Sequence, residues 1–193
     1  VLFREYNQII IPLGPIVRHK PEEEINPKEI FQQLKGKLIW WSYYDKGNTN
    51  NEWYGVIKDK HLEIEDYPSS NIRNQVRKGL KNCEIRKIST DLLVEKGYAI
   101  YKAVFQNYNQ KPLSEGSYLK NISATLNFED IIHYWGIFIN QELIGYAVIY
   151  CYGKLEANIS EIRVKKGYHK LYPSYALFHV LSGEYLKNKG FNY

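Results

Sequence analysis

Residues 134–193, YWGIFINQELIGYAVIYCYGKLEANISEIRVKKGYHKLYPSYALFHVLSGEYLKNKGFNY, decide the fold. The run 135–139 is apolar, Asn140-Gln141-Glu142 is a short polar turn, and residues 143–151 form a second run rich in β-formers. That spacing predicts an antiparallel hairpin. A third strand is expected over 157–164, where Ile159, Ile162 and Val164 break strict alternation and point to a β-bulge. The polar segment KKGYHKLY (165–172) reads as a loop, and an amphipathic helix follows with Ala176, Leu177, Val180, Leu181 and Tyr185 at helical spacing. Pro173 suits its first turn and Gly190 its C-terminal cap. Phe191-Asn192-Tyr193 then opens another strand.

Working outward to the N-terminal side, residues 8–13 predict a strand ended by Pro12, Gly14 and Pro15. The polar segment 18–24 reads as a loop. Asn26-Pro27 forms an N-cap pair for a short helix bearing Ile30, Phe31 and Leu34. LIWWSYY (38–44) is expected as a buried strand, 45–51 as a turn and 53–57 as a returning strand, while Leu62 and Ile64 alternate with charges over 61–67 as in an edge strand. Pro68-Ser69-Ser70-Asn71 caps a helix over 72–82, and residues 83–88 form a strand. Ser89-Thr90-Asp91 caps a longer helix with Leu93, Gly97, Ile100, Tyr101, Val104, Phe105 and Tyr108 along one face. Residues 118–124 and 128–133 are expected as two further helical pieces.

A chain of 193 residues supports one sizeable core or two small halves. The net charge of +5 implies mild attraction for anions, well short of a histone-like nucleic-acid binder. Cys83 and Cys151 lack metal-ligand spacing and read as free thiols in a reducing compartment. The five histidines make no H-E-x-x-H pattern, so no metal site is expected. No apolar run is long enough for a membrane span and the N-terminus does not read as a signal peptide, so the expected location is cytoplasmic. Gly-x-Ser-x-Gly, P-loop and dinucleotide fingerprints are absent. The tyrosine surplus serves core, interface or carbohydrate-like surfaces alike.

The helix over 72–82 carries a distinct pattern. Ile72, Val76 and Leu80 sit four apart on a core-facing stripe. Arg73, Arg77 and Lys81 sit four apart on the adjoining face, with Lys78 beside them. Like charges at that spacing repel, and a phosphate or carboxylate held across them would relieve the cost. Two other readings stay open: a solvated basic face, and a nucleic-acid-binding one.

The order strand, turn, strand, strand, loop, helix, strand resembles the core of GNAT-type acyltransferases. The implied fold is α+β (of α/β-type mixture), with a mostly antiparallel central sheet flanked by helices. In that fold a splayed strand pair holds the acyl donor, and the loop before the helix receives its phosphates. This chain departs from the usual Arg/Gln-x-x-Gly-x-Gly/Ala loop, since residues 163–170 carry the single glycine Gly167. The pattern Arg73-Asn-x-x-Arg77-Lys78-Gly-Leu-Lys81-x-Cys-x-Ile85 is similar to a helix-to-strand element of FemAB-type proteins, GNAT-related aminoacyl or acyl transferases best known for building peptidoglycan cross-bridges. By that resemblance residues 1–67 are a partial first half and 68–193 a second half, truncated at its C-terminus.

The chemistry implied is transfer of an acyl or aminoacyl group from a phosphate-bearing donor to a small-molecule or peptide amine, in cell-wall or envelope metabolism. Acyl-CoA, acyl carrier protein or aminoacyl-tRNA would be the donor, used as a co-substrate and not as a tightly bound cofactor. Such a reaction needs a base, oxyanion stabilisation and a proton for the leaving group. Glu161 is the candidate base, or else an ordinary strand carboxylate paired with Arg163. The backbone around residues 162–164 is the candidate oxyanion site. Tyr172 and Tyr175, at the helix start, are candidate proton donors or packing tyrosines. Ser174 and the free N–H groups of the first turn, with Arg163, Lys165, Lys166 and Lys170, form the candidate donor-phosphate cradle. Arg73, Arg77, Lys78 and Lys81 are the candidate substrate-binding cations. A catalytically inactive GNAT-like ligand-binding or interaction module is the alternative reading.

Overall fold

The computed structural model describes residues 2–6, 8–14, 25–41, 56–108 and 110–193. The expected loop 18–24, the turn 45–51 and parts of the two strands beside that turn lie outside the described residues. Two compact units are present, Val1–Ile57 and Lys58–Tyr193. Residues 58–67, expected with the N-terminal half, belong to the second unit.

In the first unit β1 (Leu2–Tyr6) and β2 (Ile9–Leu13) pair antiparallel, from Leu2 opposite Leu13 to Tyr6 opposite Ile9. Sequence reading anticipated the second strand and missed the first, whose Arg4 and Glu5 interrupt the apolar pattern. Helix α1 (Pro27–Gln33) starts as expected, with the Asn26 side chain accepting the Lys28 N–H at 3.1 Å. The short β3 (Leu38–Ile39) lies parallel to β2, and Ile10 between its neighbours is wholly buried.

The second unit begins with an irregular segment, not the edge strand expected over 61–67. It contains only a 3-10 turn, Ile64–Asp66. Its alternation records one-sided burial without strand pairing: Leu62 and Ile64 turn in while Glu63 and Glu65 face solvent. Side chains hold it in place, His61 on Ser182, Tyr67 on His179 and Glu65 on Arg77. Helix α2 (Ser70–Asn82) follows and buries Val76. Strand β4 (Glu84–Ile88) leads to α3 (Thr90–Asn107), whose N-cap Ser89 accepts the Leu92 N–H at 3.3 Å. The next helix is α4 (Glu115–Ser123). The second helical piece expected over 128–133 does not form. A turn there closes with the Ile132 N–H donating to the Phe128 carbonyl at 2.7 Å, and His133 is already inside the next strand.

Strands β5 (Ile132–Ile139), β6 (Glu142–Tyr152) and β7 (Glu156–Val164) complete an antiparallel sheet in the order β4-β5-β6-β7. The β5–β6 hairpin turns on Asn140 and Gln141, both at positive φ (48° and 67°), which is the geometry of a type I′ turn. The expected β-bulge is present. Val148 opposes Glu161 while Ile149 opposes Ile159, leaving Ser160 as the extra residue. Helix α5 (Pro173–Ser182) has Pro173 at its first position and continues as a π-turn over Gly183–Asn188. Gly190 ends it at φ +67°, a conformation that glycine adopts without the Cβ clash. Residues 191–193 form no regular strand, yet they pair with β7: Tyr193 N–H donates to the Leu155 carbonyl and Ala157 N–H to the Tyr193 carbonyl. Those two bonds flank Glu156, as in a parallel pair.

Both faces of the central strands are covered. On one, Trp135, Ile137, Ile149, Val164, Leu177, Leu181 and Tyr185 share a core. On the other, Ile88, Leu93, Ile100, Tyr134, Phe138 and Tyr146 do. Alternate residues of β7 therefore serve opposite sides: Ile162 packs toward the α5 side, while Arg163 lies over the α3 rings of Phe105 and Tyr101.

Candidate functional site

The site builds from the end of β7 to the first turn of α5. Lys165 N–H donates to the Ile144 carbonyl, anchoring the loop's first residue to the sheet. Gly167 (φ +99°) and a 3-10 turn over His169–Leu171 bring the chain to Tyr172, which stands at φ 59°, ψ 42°. A tyrosine in that left-handed region is uncommon, and its cost is of order 1–3 kcal/mol. The turn leaves α5 without a side-chain cap and without an acid in its first turn. Pro173 has no N–H, and those of Tyr175 and Ala176 return to the Tyr172 carbonyl at 3.1 and 3.3 Å. The first-turn cradle thus narrows to the Ser174 N–H and hydroxyl, at a helix end that carries partial positive charge.

Helix α2 lies against this end of α5. A Cβ on Gly79 would come within 2.5 Å of the Tyr172 carbonyl oxygen and 3.1 Å of the Ala176 Cβ, so only glycine allows so close an approach. The contact brings Lys78 to the site, its Nζ 5.9 Å from the Tyr172 ring centre. Tyr172 and Tyr175 meet edge to face at 5.9 Å, with Tyr175 partly exposed. Lys166 and Lys170 are exposed with no acidic partner among the described residues, whereas Lys165 pairs with Glu142 at 2.7 Å. Structure therefore collects Lys78, Lys166, Lys170, Ser174, Tyr172 and Tyr175 on or next to the loop and helix start.

Arg163 is elsewhere. Its guanidinium sits 5.1 Å over the Phe105 ring, on the α3 side, and binds Glu161 at 3.1 Å. The Arg163 Nε is buried without a partner. Glu161 faces a cluster of tyrosines: burial pushes Tyr118 up to about 12, and with the Glu161 charge it raises Tyr134 and Tyr146 as well. Past Glu156 the outer edge of β7 carries no strand among the described residues, so backbone around 162–164 borders β6 on one side only.

The α2 cations divide. Arg73 donates to the Tyr67 carbonyl at 2.6 Å and Arg77 pairs with Glu65 at 2.9 Å, while Lys78 and Lys81 remain exposed. The sequence does not mark the acceptors, because both lie in a segment whose alternation imitates an edge strand. Nor does it mark two polar clusters. His61 Nδ1 lies 2.9 Å from Ser182 Oγ, and Tyr67 OH lies 3.3 Å from His179 Nδ1. In the second cluster Tyr185 OH accepts from Trp135 Nε1 at 3.0 Å and lies 2.7 Å from His133 Nδ1, with Cys151 Sγ 3.3 Å from that nitrogen. Burial holds His133 down to about 4, aided by Lys87 and Lys189, so the ring is neutral at pH 7. Burial also raises the Cys151 and Cys83 thiols. Partners in these clusters are far apart in the chain, and no local pattern marks them.

A cavity of about 310 Å³ between Lys87, Thr90, Glu129 and Tyr134 takes in none of the candidate catalytic or binding residues named from the sequence. Among the described residues no group of three or more His, Cys, Asp or Glu could hold a metal. No helix among them is long and apolar enough to cross a membrane.

No protein-family profile and no curated protein matches this chain. Solved structures do. FemX superposes on 64% of this chain and 46% of its own, with 9% identity and a TM-score of 0.52. The PaiA N-acetyltransferase of Thermoplasma acidophilum, in complex with coenzyme A, aligns over 56% of this chain and 74% of its own, with 21% identity and a TM-score of 0.44. The chain thus spans less than half of FemX. At such identities the likeness concerns the fold, which is α+β and GNAT-like, with an antiparallel four-stranded sheet flanked by helices.

Proposed function

We propose that this protein transfers an acyl or aminoacyl group from a phosphate-bearing donor to an amine, in the manner of FemAB-like GNAT proteins. The observation that carries the reading is the start of α5: uncapped, free of acids, entered through a strained tyrosine and approached by Lys78, Lys166 and Lys170. An anion seated there gains from the helix dipole and from cations that are not already neutralised. Donors that fit are acyl-CoA, acyl carrier protein or aminoacyl-tRNA. Ser174 and the lysines hold the phosphates.

The acceptor amine nitrogen attacks the acyl carbonyl, forming a C–N bond. Backbone N–H groups around 162–164 hold the oxyanion. Glu161 takes the amine proton directly or through water, and Tyr172 or Tyr175 gives a proton to the leaving thiolate or ribose oxygen as the C–S or C–O bond breaks. An organisation in two halves, with residues 58–67 on the side of the second, a cytoplasmic location and a role in cell-wall or envelope metabolism belong to the same proposal. Calorimetric titration with acetyl-CoA, acyl carrier protein and aminoacyl-tRNA tests it. Binding of one of them, weakened at least tenfold by Lys170→Glu, is expected; binding of none would end the proposal.

A second reading, a GNAT-like module without catalysis, has its own support. The loop holds one glycine, and Arg163 engages both Glu161 and the α3 rings. Turnover that disappears in Glu161→Gln with donor affinity unchanged would exclude it.

A further inference from the structure

We propose that residues 58–67 form an acid-released cover over the cationic stripe of α2, latched to α5 through His61 and His179. The cover presents to α2 what an anionic ligand would present. Glu65 Oε1 accepts from Arg77 Nη2 at 2.9 Å, and the Tyr67 carbonyl accepts from Arg73 Nη1 at 2.6 Å. Two of the four cations that the sequence aligns on one helix face are thus occupied by the chain itself. Lys78 and Lys81 stay exposed beside them.

The proton inventory of the latch explains why acid opens it. Ser182 has one hydroxyl proton and donates it to the His179 carbonyl at 2.9 Å. At the 2.9 Å contact between His61 Nδ1 and Ser182 Oγ, His61 must therefore be the donor. Tyr67 OH lies 3.3 Å from His179 Nδ1, and it donates there when the neutral ring carries its proton on Nε2. The two rings stand 4.9 Å apart. The charged groups around them are Glu63, 3.9 Å from His61 Nε2, Lys187, which pairs with Glu63, and Lys58, which lies over the Tyr67 ring. A proton on His179 would place a charged, half-buried ring beside His61 and near Lys58, with the Glu63 carboxylate as the opposing charge. Burial, then the neighbouring His61, already keeps His179 below the ordinary imidazole range. Once residues 58–67 lift from α5, His179 regains water and takes up its proton in the ordinary imidazole range.

The released state thus holds more proton at His179, and release grows as pH falls into the ordinary imidazole range. Lys187 and Arg77 lower the Glu63 and Glu65 carboxyls, so both stay ionised across that window and their ion pairs do not drive the change. This inference rests on the reading of the α2 stripe as an anion-binding surface and extends it to the regulation of that surface.

The test uses the whole chain at pH 7.5 and 5.5. Hydrogen exchange, corrected for intrinsic rates, reports opening of 58–67 relative to the β5–β6 core. NMR titration with inorganic sulfate, whose charge is constant over this range, reports anion binding at α2. Opening of 58–67 should rise from pH 7.5 to 5.5 by up to about tenfold, the ceiling for one proton taken up at His179, and sulfate affinity should rise with it. His179→Asn should flatten both. Glu65→Ala, at an exposed position that leaves the buried latch intact, should raise sulfate affinity at pH 7.5 by roughly twofold to fivefold. No acid-dependent opening would overturn the latch. Opening without gain in sulfate affinity, together with an unchanged Glu65→Ala, would overturn the cover's role. Donor binding at α5 is read separately, through Lys170→Glu, and survives or fails on its own.

Discussion

Two helices of the second unit begin in opposite ways. At α3, Ser89 caps the first turn through its side chain and Asp91 adds an acid, so the helix end is satisfied by its own residues. At α5, the residue before the helix is a left-handed tyrosine, no side chain caps the turn and no acid enters it. Lysines stand near where α3 has its acid. The difference teaches which helix end is free to receive an anion from outside. The other end of α5 is sealed, because Tyr185 ties the π-turn to His133 and Trp135 inside the core.

The sealed end yields the largest expected effect. Folding depresses the His133 pKa from about 6.5 to about 4, so the neutral ring is the one the fold prefers. Its contribution is complete above about pH 6.5, falls as pH drops through that value, and levels near pH 4, a loss on the order of 3 kcal/mol. Urea unfolding of the native chain and His133→Gln across that range measures it. Equal slopes in the two proteins would contradict the sealed-end account. Next, Gly79→Val should force α2 away from the Tyr172 carbonyl and cost about 1–3 kcal/mol in the same assay. An unchanged stability would mean that the contact at the open end is dispensable.

Making α5 resemble α3 sharpens the contrast. Ser174→Asp should cut donor affinity at least tenfold, while thermal unfolding shows stability held or raised by about 0.3–1 kcal/mol through the helix dipole. Retained affinity would place the donor elsewhere. The converse change at α3, Ser89→Ala, should cost about 1 kcal/mol of stability by denaturant titration and leave donor binding as it was. The smallest effect is expected from Tyr172→Gly, a gain of about 0.5 kcal/mol as relief of left-handed strain outweighs added chain entropy. A clear loss of stability in thermal unfolding would show that the ring's contacts with Lys78 and Tyr175 matter more than its backbone angle.

Much of the sheet was legible because its signals are local. Asn140-Gln141 between two β-rich runs announces the hairpin, and Ile159 with Ile162 on one face announces the bulge, since a two-residue repeat cannot otherwise put both inside. Leu62 and Ile64 misled for a related reason. Alternation reports one-sided burial, and a segment lying along helices satisfies it as well as an edge strand does. Residues 128–133 misled because a short apolar run does not distinguish helix from strand. The α2 stripe was legible as charge but not as vacancy. Nothing near Arg77 in sequence says that Glu65 will reach it, and the bulge alone does not tell that Arg163 will settle over Phe105.

The amino-acid order by itself determined the strands of the second unit, its hairpin, its bulge, and a last helix that starts with proline and without acids. Those features follow from backbone preferences and periodicities spanning a few residues. Tertiary structure alone decided which cations are free, that Glu161 and Arg163 face away from the helix start, and that His61 meets His179. Ion pairs and hydrogen bonds act over about 3–4 Å, so their partners exist only once segments remote in the chain have been packed together.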